Sequence, residues 1–535
     1  MKRNKSPGSD GLTIEFYQKF WDSIKYSLLE SYNESLHQGE LTSSQRYAII
    51  SLMFKKGDRK LLKNYRPISL TNCDYKILAL TLATRMQAVI ADLVNEEQTA
   101  CIRNRNIAMN ARLIVDIFEY AESSNTSGAL LMLDFEKAFD SIEWSFLMNV
   151  LRKMNFGPIF LKWITILYTM PCFSVKNNGW ISAKKAMSRG IRQGCPISAL
   201  LFVLTVEVMS QRIRDNSEIS GFKFMDREIK IAQHADDAAL TLTKIESIPI
   251  ALKEIKEFGN VSGLALNLDK TEGIWIGGFK DNDPTMFNIK WTKKPVRYLG
   301  IFIGHDTEQC CRMNWDTKVD NLKKTLQIWK MRQLSLFGKV LIVKSFAISK
   351  IIYTASILIP HDDFIKRVNK IIYDFLFNNN CRIKRKTLSL DLEEGGIKMV
   401  DLEKKILSLQ AAWASRLLTY NGKWSDIFKH YSGKLKLSWK YLLKLKFTSI
   451  EMFPSIKCLP PFYQQVLVAA NKCKKQVHNH LSFYNLLSDS IWGNPAFQFK
   501  NKTLFFTNWI ESGFLYVRDL CINGKFITED HVLTM

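Results

Sequence analysis

The sequence predicts an α+β chain in which a strand-rich middle lies between two helical regions, and three patterns predict it. Apolar residues fall at helical spacing through most of residues 1–127, interrupted by a short extended run. Residues 128–304 alternate short apolar or period-two runs with helical ones. From about residue 305 onward the pattern is helical and basic. The 535 residues are 47% hydrophobic and 12% aromatic, enough to build several cores, which excludes a disordered tail. Lysine and arginine number 75 against 51 acids, a net charge of +24. That excess favours a polyanionic partner, with nucleic acid ahead of a membrane surface.

Taken in order, residues 47–54 read as a strand and 55–60 as a basic loop. Asn64-Tyr65-Arg66-Pro67 precedes a helix whose apolar positions include Ile77, Leu80 and Ala83. Residues 129–133 are wholly apolar, as a buried sheet strand is. Asp140, with Glu143 three residues on, reads as a capping box opening a helix toward Lys153. Pro196 suits the first turn of a helix running to about Ile213. Ile229, Ile231 and Gln233, then Ala238, Leu240 and Leu242, keep period-two spacing on either side of Ala235-Asp236-Asp237, a hairpin with acids at its tip. Trp315, Val319, Leu322, Leu326 and Trp329 form one helical stripe. Lys318, Lys323, Lys324 and Lys330 fall off that stripe, on a face either solvated or turned to phosphates. Further helices are expected over residues 336–358, 364–377 and 401–418.

The longest membrane-like run, residues 340–360, contains Lys344, Lys350 and three serines, so it reads as a buried amphipathic helix and not as a span. The N-terminal Met1-Lys2-Arg3 has no apolar segment behind it, unlike a signal peptide. No CxxC pair occurs among the ten cysteines, which points to reduced thiols and an intracellular location, cytoplasmic or nuclear. Cys473, His478 and His480 lack the second cysteine a zinc finger needs.

The chemistry concentrates in two places, Leu131 to Asp140 and Ile231 to Ala238, where acids end apolar runs. A buried carboxylate is costly unless something positive neutralises it. Two carboxylates about 4 Å apart repel by roughly 4 kcal/mol at an effective dielectric near 20. A divalent metal is the usual remedy, and paired metals bridged by carboxylates serve phosphoryl and nucleotidyl transfer.

Around these acids seven blocks follow in order. They are Lys5-Ser6-Pro7-Gly8-Ser9-Asp10-Gly11, Asn64 to Leu70, Asp134 to Asp140, Arg192-Gln193-Gly194-Cys195-Pro196-Ile197-Ser198, Ala235-Asp236-Asp237, Leu266 to Thr271, and Tyr298-Leu299-Gly300. Motif by motif this resembles the reverse transcriptase of LINE-type (non-LTR) retrotransposons. The likeness continues through Gly395-Gly396, Trp492-Gly493-Asn494-Pro495 and Arg518-Asp519-Leu520. The resemblance implies a right-hand polymerase with fingers, an α/β palm and a helical thumb, then a mostly helical C-terminal region. Its boundaries here would be 1–127 for an N-terminal extension and fingers, 128–304 for the palm with part of the fingers, 305–420 for the thumb and 421–535 for the remainder.

It also implies an RNA-directed DNA polymerase in which Asp134 and Asp236, with Asp237 completing the triad, hold two Mg²⁺ ions. One ion would activate the primer 3′-hydroxyl and the other would bind the incoming triphosphate. By the same comparison Arg66 would clasp the triphosphate, Phe139 would exclude a 2′-hydroxyl, and Gln193 and Gly194 would line the nucleotide and template slot. Lys270 would neutralise or protonate the leaving pyrophosphate. His234, Tyr298, Leu299 and Gly300 would contact the primer. The implied partners are an RNA template, a DNA primer or target, dNTPs and other proteins of the element, with no membrane. His234 stands where the family usually has an aromatic, Ala238 where threonine is frequent, and Cys101 where phenylalanine is common. Neither the endonuclease nor the Cys/His-rich segment of the family's polyproteins is recognisable, so a truncated polyprotein relying on another protein for nicking is expected. Two other readings compete. Intact Asp134, Asp236 and Asp237 argue against a catalytically silent RNA-binding remnant, and Phe139 argues against an RNA-templated RNA polymerase.

Overall fold

The apolar run Tyr47–Phe54 forms strand β1, with the bounds its composition predicts. The computed structural model describes residues 1–282, 285–378, 383–420, 422–435, 439–443, 445, 449–473, 487–494, 497–499, 502–522 and 525–526. They divide into two units, one of residues 1–222 and 228–300, the other of residues 223–227 and 301 onward.

In the first unit, helices α1 (Ile14–Lys19) and α2 (Trp21–Gln38) precede β1. β1 pairs antiparallel with β2 (Tyr65–Thr71) and parallel with β4 (Cys172–Asn177). The sheet order is β2-β1-β4-β5, with β5 at Trp180–Ile181 and β6 (Lys185–Ala186) also on β4. The sequence reading missed β2. Pro67 is tolerated in it because β2 is an edge strand, where one side of the backbone carries no ladder bonds. Helix α3 (Cys73–Met86) buries Tyr75, Leu78, Ala79, Leu82, Ala83 and Met86. Ile77 is only half-buried and Leu80 is exposed, so the inward face is rotated from the expected one. A helix apolar on most sides leaves the choice of face to its neighbours.

The second sheet carries the acids. Its order is β10-β9-β3-β8-β7, with β3 at Gly128–Leu133, β7 at Ile231–His234, β8 at Asp237–Leu242, β9 at Glu272–Ile276 and β10 at Lys290–Trp291. All six residues of β3 are buried, as a central strand covered on both faces requires. Ile229 falls outside β7. It ends a separate short strand, Arg227–Ile229, and between the two strands the Lys230 ammonium is buried on the carbonyls of Arg214 and Asn216, both at 2.8 Å. Helices α4 (Ile107–Ser124), α5 (Trp144–Lys153), α6 (Pro158–Leu167), α7 (Ser198–Asp215) and α8 (Ser247–Ser262) complete this unit, and α4 and α7 contact β7. Pro196 lies two residues before α7 and so is not in its first turn.

The capping box at Asp140 does not form. A short turn, Ala138–Ser141, precedes α5, and Glu143 takes the cap position without a side-chain bond. The carboxylate of Asp140 instead accepts from Gln193 Nε2 at 3.2 Å, a partner 53 residues away that local spacing cannot reveal.

The second unit is helical. In α9 (Thr317–Lys330) Val319, Leu322 and Leu326 are buried, as is Trp315 just before it, while Lys323, Lys324 and Lys330 are exposed. The expected stripe is therefore the inward one. Lys318 is half-buried. Helices α10 (Leu336–Ile342) and α11 (Ser349–Ile357) are joined by a π-helical turn, and α12 (Asp362–Phe377), α13 (Leu402–Thr419) and α14 (Pro461–Cys473) follow. Among the described residues, one helical run, Leu336–Ile357, is long and apolar enough to cross a membrane, and half of its apolar window is buried. His478 and His480 lie outside the described residues, as does Pro495.

Candidate active site

The antiparallel ladder between β3 and β8 assembles the acids. Leu133 pairs with Ala238, so the next step of the same register sets Asp134 beside Asp237, with Asp236 in the turn joining β7 to β8. Three carboxylates thus arrive at one end of the sheet from positions about a hundred residues apart. The electrostatics reflect it. The Asp237 carboxyl is pushed above the usual carboxylate range, first by burial and then by the negative charges of Asp236 and Asp134, against the pull of Lys55 and Arg297.

Asp134 is held through its backbone. Its carbonyl accepts from Asn267 N–H at 2.7 Å, and its N–H donates to the buried Thr271 hydroxyl at 3.4 Å. Thr271 in turn donates to the Asn267 carbonyl at 2.8 Å. The exposed ammonium of Lys270 stands 3.6 Å from Asp134 Oδ2. The Leu266 to Thr271 block is therefore the brace of Asp134 as well as the source of a nearby cation.

The acidic turn needs external support, because Ala235 has φ +56, where an L-residue is strained by roughly 1–2 kcal/mol. Glu97-Gln98-Thr99 runs alongside β7 and supplies that support. Gln233 N–H donates to the Glu97 carbonyl at 3.1 Å, and Thr99 N–H donates to the Gln233 carbonyl at 3.0 Å. Gln98 Oε1 accepts from Ala235 N–H and from Ala100 N–H, both at 3.0 Å. Two backbone donors fix which end of this amide is oxygen. Asn110 Nδ2 bonds the Glu97 and Gln233 carbonyls at 2.7 and 2.6 Å, and Ser210 donates to Gln233 Oε1 at 2.6 Å. His234 Nδ1 lies 3.0 Å from the Thr99 hydroxyl. Burial holds its imidazole below the usual pKa, opposed by Asp236, so the ring is neutral at pH 7.

A second set of residues is joined by hydrogen bonds and close contacts around Gln193 and Phe139. Ser69 N–H donates to the Gln193 carbonyl at 2.7 Å. Gly194, at φ +112, lies so close that a Cβ would sit 2.8 Å from the Ser69 carbonyl oxygen; no other residue fits. Ile191 N–H donates to the Phe139 carbonyl at 2.7 Å, and the half-buried Phe139 ring stacks on Phe202 at 4.4 Å and 14°. Arg66 is exposed on β2, opposite Met53 and three residues before Ser69. Arg192, by contrast, is buried, bonded to the Arg46 carbonyl and laid over the Tyr75 ring at 5.0 Å. Tyr298 is also turned inward, its hydroxyl 3.2 Å from the Ala232 carbonyl, so it supports β7 from behind. Leu299 (φ +45) and Gly300 (φ +82) form a tight turn and remain partly exposed.

Residues 54–303 match the family described as reverse transcriptase (RNA-dependent DNA polymerase). That segment is a reverse-transcriptase domain. Over 505 residues it is 30% identical to the Transposon TX1 uncharacterized 149 kDa protein of Xenopus laevis, covering 93% of this chain and 38% of that protein. It is 28% identical over 275 residues to the Pol polyprotein from the type-2 retrotransposable element R2DM of Drosophila melanogaster, covering 51% of this chain and 25% of that protein. It is 23% identical over 424 residues to the Pol polyprotein from the type-1 retrotransposable element R2 of Popillia japonica, covering 75% and 56%. The chain thus spans from a quarter to just over half of the length of these relatives. The likeness is to the reverse transcriptases of non-LTR retrotransposons, and the chain mixes helix and sheet in an α+β class.

The sequence reading missed Lys55, Arg297, Gln98 and Thr99. Lys55 and Arg297 act on Asp237 through space, and no spacing rule links either to an acid. The signal for Gln98 was the family block around Cys101, read only for its departure from phenylalanine. Among the described residues no three His, Cys, Asp or Glu side chains close into a metal cage. Reverse transcriptases generally use divalent metal ions. Asp134, Asp236 and Asp237 could hold such ions as an incomplete set of hard oxygen donors.

Proposed function

We propose that this chain is an RNA-directed DNA polymerase that adds deoxynucleotides to a primer 3′-hydroxyl on an RNA template. The observation that carries the reading is the β3–β8 register, which sets Asp134 beside the Asp236-Asp237 turn, where the neighbouring acids raise the Asp237 carboxyl. The donor set fits Mg²⁺, which prefers a few carboxylates completed by water and substrate phosphates to an all-protein cage. Asp134 and Asp236 would be the main ligands and Asp237 the third acid. Bound there, the metal would lower the pKa of the 3′-hydroxyl and neutralise the triphosphate.

The chain's own residues do the rest. The 3′-oxygen attacks the α-phosphorus, a P–O bond forms as the bond to pyrophosphate breaks, and the hydroxyl proton is lost to solvent. Arg66 and Lys55, both exposed, bind the triphosphate by charge-assisted hydrogen bonds. Lys270 moves from Asp134 onto the departing pyrophosphate. Phe139, backed by Phe202, blocks a 2′-hydroxyl. Gln193 and Gly194 border the base pair, and neutral His234 packs under the primer end with Leu299 and Gly300, while Tyr298 acts from beneath. In this reading residues 1–127 are the N-terminal extension and fingers, 128–304 the palm, 305–420 the thumb and 421–535 a helical C-terminal region.

Primer extension on an RNA template tests it. Wild type should incorporate dNTPs only with a divalent metal, and Asp236→Asn should fall to background while melting normally, since Asp236 is exposed. Incorporation by that variant would refute the assignment, and folded wild type that binds RNA without extending would establish the silent-remnant reading. Phe139→Ala should admit ribonucleotides; unchanged sugar selectivity would remove Phe139 from the site.

A further inference from the structure

The most exposed tryptophan described belongs to none of this machinery. Trp180 is 83% exposed and its neighbour Ile181 is 53% exposed, both in β5 just beyond a two-residue turn. The turn residues Asn178 (φ +48) and Gly179 (φ +89) have the left-handed values of a tight hairpin, and Asn177 pairs with Trp180 and Lys176 with Ile181. The hairpin is anchored at its foot. Val175 and Ser182 exchange two hydrogen bonds at 3.0 Å, and Met187 N–H donates to the Pro171 carbonyl at 2.9 Å. A rigid arm with an uncovered indole is a costly surface unless something covers it.

The charge around it says what does. Between Glu143 and Glu207 the sequence holds no acid and eight lysines and arginines. Four of them, Lys176, Lys184, Lys185 and Arg189, belong to the hairpin and the segment leaving it, and all four are exposed. A protein interface needs roughly 800 Å² per partner, more than two side chains offer. One exposed flat ring on a segment whose only charges are cations suits a single unpaired base with phosphates on either side. The strand leaving the hairpin reaches Gly190, packed against the Asp140 backbone, and then Gln193, so the arm is tied to the proposed nucleotide slot.

We propose that the Trp180 hairpin is a stacking platform for an unpaired base of the RNA strand outside the copied duplex. The identity of that strand as template rests on the polymerase reading; the stacking does not. Anisotropy with an RNA–DNA duplex carrying a single-stranded 5′ RNA tail, against the same duplex blunt-ended, tests it at fixed salt. Wild type should prefer the tailed duplex. Trp180→Ala should weaken tailed binding by roughly five- to a hundredfold, the range for one base stacked on an aromatic ring, and leave blunt binding unchanged. Trp180→Phe should keep most of the preference. Equal affinity of wild type for both duplexes, or a Trp180→Ala protein that still prefers the tail, overturns the proposal. Asp236→Asn, which cannot extend a primer in the reading above, should show the same dependence on Trp180. Tail preference without extension by wild type would sink the polymerase reading alone, and extension without tail preference would sink the platform alone.

Discussion

Two hairpins in the first unit have two-residue turns and opposite ways of holding them. The Asn178-Gly179 turn has residues that adopt positive φ readily, stands in solvent, and has no atom within 4 Å of where a glycine Cβ would be. The Ala235-Asp236 turn puts an alanine at φ +56 and relies on Gln98, Thr99, Asn110 and Ser210 to hold the strand that leads into it. Local chemistry shapes the first turn; tertiary hydrogen bonds shape the second. Residues at the acidic tip are thus released from turn-forming duty and free to be whatever the chemistry needs, at the cost of a dependence on a segment more than a hundred residues away.

The sharpest way to break this comparison is Gln98→Met, which keeps size and removes the acceptor shared by Ala235 and Ala100. The buried Ala100 N–H loses its partner, at about 1–3 kcal/mol, and the half-buried Ala235 N–H loses one too. Incorporation should fall roughly 10–100-fold, as when a supporting residue behind a metal ligand is lost, with primer–template affinity unchanged. Adding Ala235→Gly should recover part of the rate, since glycine accepts positive φ unaided. An undiminished rate in Gln98→Met would mean the turn holds itself.

Next comes the charge at the tip. The Asp237 carboxyl is raised in the folded protein, so the fold prefers its protonated form, and stability is lost as pH rises through the ordinary carboxylate range. Asp237→Asn should therefore melt above wild type at pH 7, and the difference should close below about pH 4. Added Mg²⁺ should narrow it as well, by stabilising wild type more. A variant that melts lower at neutral pH would contradict the repulsion inferred here. The smallest effect belongs to the other hairpin: Gly179→Ala should cost about 1 kcal/mol of stability, measured by denaturant melts, with incorporation unaltered.

Much of this was legible in the sequence because local pattern carried it. β1 has its predicted bounds, β3 is as buried as its composition required, and the stripe from Trp315 to Leu326 faces inward. β2 escaped because Arg66-Pro67 looks like a loop until an edge position makes the proline harmless. Asp140 was misread for a related reason: capping spacing was satisfied, yet a distant glutamine offered the better partner.

By itself the sequence determined the likeness to reverse transcriptases, the acidic residues and the apolar runs that become strands, since these depend on residue type and on short spacings. Only the tertiary structure decided that Asp134 pairs in register with the acidic hairpin, that Gln98 holds its turn, that Tyr298 faces inward and that Trp180 faces out. Such facts depend on which distant backbone groups share a hydrogen bond. A one-dimensional pattern does not encode that geometry, because a residue's nearest neighbours in space are set by the packing of whole elements.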